Sequence, residues 1–397
     1  MASFLNMCTF EASLPSSFSH PSNLLDPVLE SHARLFSSTD VAADISRALA
    51  RVGSASDVDR TYVFEVTKLP DGSHVASHRF EWVREGIEPQ LHNPELQDVP
   101  LQEAGYGRWI RLLSDYQPVF GLVEEFPIEE QPLLTIQDIL SLLVIPIFAD
   151  GELWGFVGFD DCRRRKVWTR SDVDLLLSLS IAIGARLGSR GPGSHEVDAG
   201  AANYMEIVRG LVGLRDLTGS RQPLSDLLLQ IRARIRALVA IHRFLVRGSH
   251  QPAIDIAALL SFWEGEVREA LDDCGQRDLR LRTMAESFDV PRGLVLETAL
   301  VIHELVLAYS CTNVSTERRG TLSLGVHEDH GTAVVRLHLD GGDDGVAAQG
   351  TPDALGLVLV RRIVQALAGQ VQIPAADAAA RIVIPLQRQT TGNEMEN

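Results

Sequence analysis

SLLVIPIFADGELWGFVGFDD, Ser141 to Asp161, decides the fold of the N-terminal half of this chain. Two runs rich in β-branched and aromatic residues flank Asp150-Gly151, a dipeptide suited to the positive φ angles of a tight type I′ turn, so the stretch reads as a β-hairpin. Just downstream, Thr169 and Asp172 have the spacing of a capping box, with Asp in place of the usual Glu, and open a long apolar-faced helix that runs to Leu187. Upstream, the apolar spacing is helical from about Leu24 to Arg51. Thr61 to Val66 and Ser77 to Trp82 then read as short strands around Pro70-Asp71-Gly72, and Ala104 to Tyr116 returns to helical period.

Composition bounds the rest. A chain of 397 residues has room for two to three domains, each with its own core. Its net charge of −17 repels phosphate backbones and anionic lipid, so neither nucleic acid nor a membrane surface is an expected partner. The one basic run, Cys162 to Lys166 (CRRRK), reads as a loop after a strand. The four cysteines, Cys8, Cys162, Cys274 and Cys311, form no CxxC pair, which suits free thiols in a reducing cytoplasm and implies no metal site. Residues 1–23 lack a basic start and an unbroken apolar core and read as a flexible leader. No uncharged apolar run reaches the ~20 residues of a bilayer-spanning helix, so the expected location is cytoplasmic.

The hairpin, together with DVDRTYVFE from Asp57, EWVREGIEPQLHNPELQDVP from Glu81 and AGYGRWIRLLSDYQPVFGLVEEFP from Ala104, resembles a bacterial GAF domain over residues 24–188. That resemblance implies an antiparallel sheet with helices on its faces, often with a small-molecule pocket on one of them, but names no ligand. Trp82, Trp109, Phe120 and Phe126 are the candidate pocket residues; the competing reading of each is core. Cys162 is read as structural.

Residues 189–195, within the Gly/Pro-rich run GSRGPGS that begins at Gly188, break any helix and mark a domain boundary. Beyond it, Ile207, Leu211 and Leu214 stand at helical spacing. Leu224, Leu228, Ile231, Ile235, Leu238, His242 and Leu245 then alternate steps of four and three, the seam pattern of a helical bundle. Two such helices cannot bury their stripes alone, so residues 196–275 are expected to pair with a second copy as a homodimeric four-helix bundle. RIRALVAIHRFLVRG at Arg234, followed by IDIAALL, resembles the phosphoacceptor hairpin of the HisKA_2 and HWE histidine kinases. Laid on that family, the phosphoacceptor His falls on Ala199. His195 and His242 are the two imaginable substitutes, His195 directly after the glycine break and His242 on the seam as a packed histidine.

From residue 290 the pattern runs helix, strand, strand, helix, strand, strand: Arg292 to Tyr309, Leu322 to Val326, Ala333 to Asp340, Ala354 to Leu367, Gln370 to Ile373 and Arg381 to Leu386. This order resembles the Bergerat-type (GHKL) ATPase of histidine kinases over residues 276–390, with a tail at 391–397. HELVLAYSCTN at His303 resembles the N-box: Glu304 is kept, Ala308 stands where the Mg²⁺-holding Asn would be, and Cys311 and Thr312 replace a basic pair. The family's DxGxG falls on Asp340, Gly342 and Asp344, the last a carboxylate in place of a glycine. The later glycine box survives as ALGLVLV, with Gly356 and Leu357 at the helix start, where backbone N–H groups would meet phosphate. Phosphoryl transfer rests on positioning and on charge neutralised by Mg²⁺, so losing the ligand at 308 and adding a carboxylate at 344 weakens both. The expectation is an α+β multidomain signalling protein: a GAF sensor, a dimerising hairpin and a degenerate kinase-like transmitter that binds ATP or ADP weakly or not at all. Its partner would be a response regulator or another signalling protein, with an unknown small molecule at the GAF domain. The rival readings are an active ATP-dependent sensor kinase and a phosphotransfer or anti-regulator module.

Overall fold

The computed structural model describes residues 24–37, 40–149, 152–188, 233–234, 237, 239–245, 251–273, 279–310, 320–341, 354–373 and 379–386. The chain divides into two compact units, Met1–Asp216 and Leu217–Asn397.

The first unit is a six-stranded antiparallel sheet in the order β3-β2-β1-β6-β5-β4. In chain order its elements are α1 (Leu25–Ser37), α2 (Val41–Ala55), β1 (Arg60–Lys68), β2 (His74–Val83), β3 (Val99–Pro100), α3 (Gly107–Ser114), β4 (Val119–Leu122), α4 (Gln131–Ile136), β5 (Ser141–Ala149), β6 (Glu152–Asp161) and α5 (Arg170–Gly188). β5 and β6 pair antiparallel around the expected hairpin; the turn residues 150 and 151 lie outside the described residues. Eight of the nine residues of β5 are buried, because both faces of the sheet are covered there, and such a strand reads as an unbroken apolar run. Pro146 sits in β5 beyond Val144, where pairing with β4 ends, so its missing N–H removes no bond on that side. The expected cap of α5 is formed: the Thr169 hydroxyl donates to Asp172 Oδ2 (2.8 Å), and Asp172 N–H donates back to Thr169 Oγ1 (3.2 Å).

Helices α2 and α5 cover one face of this sheet, and α1 packs on both of them. α5 packs so close to β5 that a Cβ on Gly184 would stand 2.0 Å from the Phe148 carbonyl oxygen. The other face carries α3 and the loop segments, and its core joins Tyr62, Phe64, Trp109, Ile110, Leu142 and Phe156.

The second unit has β7 (Ala253–Asp255), α6 (Ile256–Asp273), β8 (Leu279–Ala285), β9 (Asp289–Pro291), α7 (Arg292–Ser310), β10 (Gly320–Asp329), β11 (Thr332–Gly341), α8 (Ala354–Ala366), β12 (Gln370–Gln372) and β13 (Ala380–Pro385). Its sheet runs β12-β13-β11-β10-β8, with β8 parallel to β10 and the remaining pairs antiparallel. From residue 292 onward, the helix and strand order expected from the sequence is the order found. β7 to β9 were not anticipated: β7 pairs with β9 and α6 packs on β8, so IDIAALL at Ile254 joins elements on both sides of the 275/276 division drawn from sequence. β7 and β9, with three paired residues each, leave no periodic signal to read, whereas the alternation of LRLRTMA in β8 was legible and was missed.

α7 is, among the described residues, the one helix long and apolar enough to cross a bilayer by length and composition, and 83% of its apolar window is buried in the fold. Before β7, the described helical residues between 233 and 245 include the buried Ala233, Arg234, Ala237, Val239, Ala240, Ile241 and Arg243. Of the expected seam of Ile235, Leu238, His242 and Leu245, residues 235 and 238 lie outside the described residues, and His242 and Leu245 are half-buried.

Candidate functional site

The core face of the first sheet encloses a cavity. Its hollow holds about 560 Å³ counted to the mouth, of which about 60 Å³ can take the centre of a water molecule. Strand alternation builds its floor. β1 sends Arg60, Tyr62 and Phe64 to this face while Thr61, between them, turns to the helices and donates to the Leu49 carbonyl. Across the ladder Arg60 stands opposite Asp160, Tyr62 opposite Gly158, and Phe64 opposite Phe156. Gly158 is required here, since a Cβ would lie 2.1 Å from the Tyr62 ring.

On the other side of β1 a bulge falls between Val63 and Phe64, so Tyr62 pairs with Glu81 but Phe64 pairs with His78. The extra residue, Arg79, points outward to Glu65 (2.7 Å), and Glu81 and His78 come to one face despite being three apart in sequence. The result is a stack of rings across three strands: His78 on Phe64 with centroids 4.6 Å apart, and Phe64 on Phe156 at 5.2 Å. Tyr106 and Trp109 close the wall from α3 and the segment before it. Trp109 is fixed by Glu130, 1% exposed, which accepts from Trp109 Nε1 (2.8 Å) and from Arg108 through both oxygens (2.7 and 2.6 Å).

The charges lie at the sheet end of the cavity. Arg60, 2% exposed, donates from Nη1 to Gln137 Oε1 (3.2 Å), and its Nε has no hydrogen-bond partner. Two carboxylates lie beyond hydrogen-bond reach of its guanidinium, Glu81 at 3.7 Å and Asp160 at 3.9 Å. Glu81 is held by the Gln90 and Leu91 N–H groups, and burial raises its pKa. Burial pushes Asp160 up to about 7, against the pull of Arg60 and of Tyr62, whose hydroxyl donates to Asp160 Oδ1 (3.0 Å). Asp160 Oδ2 has no partner, nor has His78 Nδ1; burial holds the His78 ring near 4, so it is neutral at ordinary pH.

Of the aromatic residues nominated from sequence, Trp109 lines the cavity. Phe126 packs behind it, edge to face at 6.4 Å, and Phe120 is half-buried outside the lining. Trp82 sits on the opposite face against Gly53 of α2, because its partner across the ladder is Thr61. Sequence reasoning missed Arg60, Tyr62, Phe64, His78, Gln137 and Phe156. A signal for the first three was present, an Arg beginning an alternation of aromatic and small residues in DVDRTYVFE. The Cys162 thiol is half-buried and pushed up to about 12 by burial, which leaves it unreactive. The basic run after it is bound internally: Arg163 to Asp59 (2.8 Å), Arg164 to Asp161 (3.0 Å) and Asp57, Arg165 to Glu124, and Lys166 to the Ser56 carbonyl (3.0 Å).

In the second unit, Glu304 and Ala308 lie on α7, 3% and 0% exposed. Arg234, in the helical segment before β7, shares one N–H, Nε, between Glu304 Oε2 (2.9 Å) and Oε1 (3.0 Å). Gly356, near the start of α8, lies directly over this pair of positions: a Cβ there would stand 3.1 Å from the Ala308 methyl and 3.4 Å from Glu304 Oε2. Leu357 is half-buried, and Asp340 lies on β11 by its backbone. Gly342, Asp344, Cys311, Thr312, His195 and Ala199 lie outside the described residues. Burial lowers His242 to about 4, with Arg292 adding to it. Position 308 presents a methyl in place of an oxygen ligand, and the Glu304 carboxylate is engaged by the Arg234 guanidinium. Among the described residues no group of three or more His, Cys, Asp or Glu side chains could hold a metal ion.

Residues 40–187 match the GAF domain family. Over 145 residues the chain is 37% identical to the methanogenesis regulatory histidine kinase FilI of Methanothrix harundinacea; the match takes in 36% of this chain and 16% of that protein, so it spans about a sixth of the relative's length. Among solved structures it is similar to the phycocyanobilin-bound GAF domain of a cyanobacterial phytochrome, with 17% identity, 43% of this chain and 96% of that chain covered, and a TM-score of 0.36. It is also similar to the blue-light activated histidine kinase of Erythrobacter litoralis EL346, with 15% identity, 87% and 99% covered, and a TM-score of 0.35.

Proposed function

We propose that this protein, whose first unit carries a GAF sensor domain at residues 40–187, is a cytoplasmic signal-transduction protein in which that sensor governs a histidine-kinase-like transmitter that no longer transfers phosphate. The observation that carries the sensor half is the cavity, walled by aromatic side chains and closed at one end by a buried guanidinium whose Nε is without a partner. Similarity of this domain to part of a regulatory histidine kinase supports a signalling role. The transmitter is read as a degenerate GHKL-type domain preceded by a HisKA_2/HWE-like hairpin. Arg234 on Glu304 supports that reading, because a carboxylate neutralised by a buried guanidinium is a poor general base. In this reading a ligand at the GAF domain changes a homodimer, and a response regulator or similar partner reads the change.

The test is incubation of the purified full chain with labelled ATP, with and without Mg²⁺. The expected result is no acid-labile label on any histidine. Label on His195 or His242 would replace the proposal with an active sensor kinase. Tight Mg²⁺-independent nucleotide binding without label would instead favour a nucleotide-gated relay.

A further inference from the structure

We propose that the GAF cavity takes a small aromatic carboxylate, a single ring bearing one acid group, with the acid on Arg60 and the ring against Phe64, Phe156 and Trp109. This rests on the reading of the cavity as a sensor pocket and names the ligand class.

Three observations point the same way. Arg60 is buried and spends one hydrogen bond on Gln137 while its Nε has none. Both neighbouring carboxylates stop short of it, at 3.7 and 3.9 Å, held back by their own partners: the Gln90 and Leu91 N–H groups for Glu81, the Tyr62 hydroxyl for Asp160. A buried guanidinium left in that state is matched by a planar acceptor arriving from the cavity, and a carboxylate is the group whose geometry fits it. Second, Asp160 Oδ2, across the ladder from Arg60, and His78 Nδ1, on a residue that lines the cavity beside Phe64, are buried polar atoms without partners. Burial raises Asp160 to about 7, which lessens its repulsion of an acid bound at Arg60. Third, the remaining lining is apolar and aromatic, and the His78, Phe64 and Phe156 rings, stacked on one another, turn their edges to the cavity, where the face of a bound ring can meet them edge to face. Size sets the limit. Room for water centres of about 60 Å³ corresponds to roughly four to six water positions, space for one ring and too little for a nucleotide or a tetrapyrrole. A cation is disfavoured by Arg60 itself.

The experiment is calorimetric titration of the full-length protein at pH 7 with benzoate, benzamide and benzylamine, three probes of nearly one shape and different charge. Benzoate is expected to bind at least tenfold tighter than benzamide, with benzylamine weakest. Arg60→Gln should abolish the preference for benzoate. Since that variant leaves Glu81 and Asp160 without their cation and could fail to fold, Ala76→Phe, which fills the cavity from β2 without touching a charge, serves as the second variant and should abolish binding of all three. If benzamide binds as well as benzoate, the acid class falls while the pocket stands. If none of the three binds at millimolar concentration, both fall.

Discussion

Replacing Arg234 by Met, Glu304 by Leu, and both together separates a closed scaffold from a working site. The two side chains are 2% and 4% exposed and meet through Nε at 2.9–3.0 Å, so each is the other's compensation for leaving water. Removing one partner of such a pair strands a buried charge and costs about 3–5 kcal/mol, whereas replacing both with apolar side chains of similar volume is often neutral or stabilising. The readout is amide hydrogen exchange of peptides from α7, which reports opening of the helix that carries Glu304. At about 1.4 kcal/mol per tenfold, each single variant should exchange on the order of a hundred- to a few-thousand-fold faster, and the double variant should return close to the parent. The reasoning is refuted if either single change accelerates exchange less than tenfold, since the pair would then be screened by water and Glu304 would be open to catalysis. It is equally refuted if the double variant is as unstable as the two singles combined.

Three further outcomes follow from the same structure. Glu130→Ala removes three hydrogen bonds from Arg108 and Trp109 and should cost roughly 3 kcal/mol, given about 1.5–3 kcal/mol for one bond to a charged group; a urea midpoint that shifts by less than the equivalent of about 1 kcal/mol would show the network to be dispensable. Thr169→Ala removes the cap of α5 and should cost about 1 kcal/mol, read as a small fall in the same midpoint with the slope unchanged. Acidification should destabilise the fold. In the second unit His242 at about 4 and His303 at about 3 are held neutral by burial; in the first unit His78 at about 4 is held likewise and His32 is lowered, while Asp160 at about 7 acts in the opposite sense. The depressed histidines contribute stability that is present above about 6.5 and lost as pH falls toward 4; Asp160 gives part of it back over about 4 to 7. With nearly two protons from His242 and His303, the stability of the second unit should fall by about 2 kcal/mol per pH unit between 6 and 5, and a urea midpoint for that unit that rises on acidification would contradict these burials.

The local sequence was enough wherever neighbours in the chain settle the outcome. Thr169 and Asp172 cap each other three residues apart, the run from Ser141 to Ala149 is buried on both faces as its unbroken apolar character requires, and the order of helices and strands after Arg292 follows from periodicity alone. The candidate site is different, because its geometry depends on partners far away in the chain. Strict alternation puts Glu81 and His78 on opposite faces of β2; the bulge between Val63 and Phe64 in the ladder reverses that parity, joins them, and leaves Trp82 against Gly53 on the helical side. Arg60 reads as an ordinary strand-end arginine until β6 brings Asp160 opposite it, 100 positions on. Glu304 reads as a kinase residue until Arg234, 70 positions earlier, is seen bound to it. Sequence periodicity states which face a residue prefers, but register, bulges and long-range charge partners are fixed only when the strands and helices pack, and those decided what this protein's two candidate sites can hold.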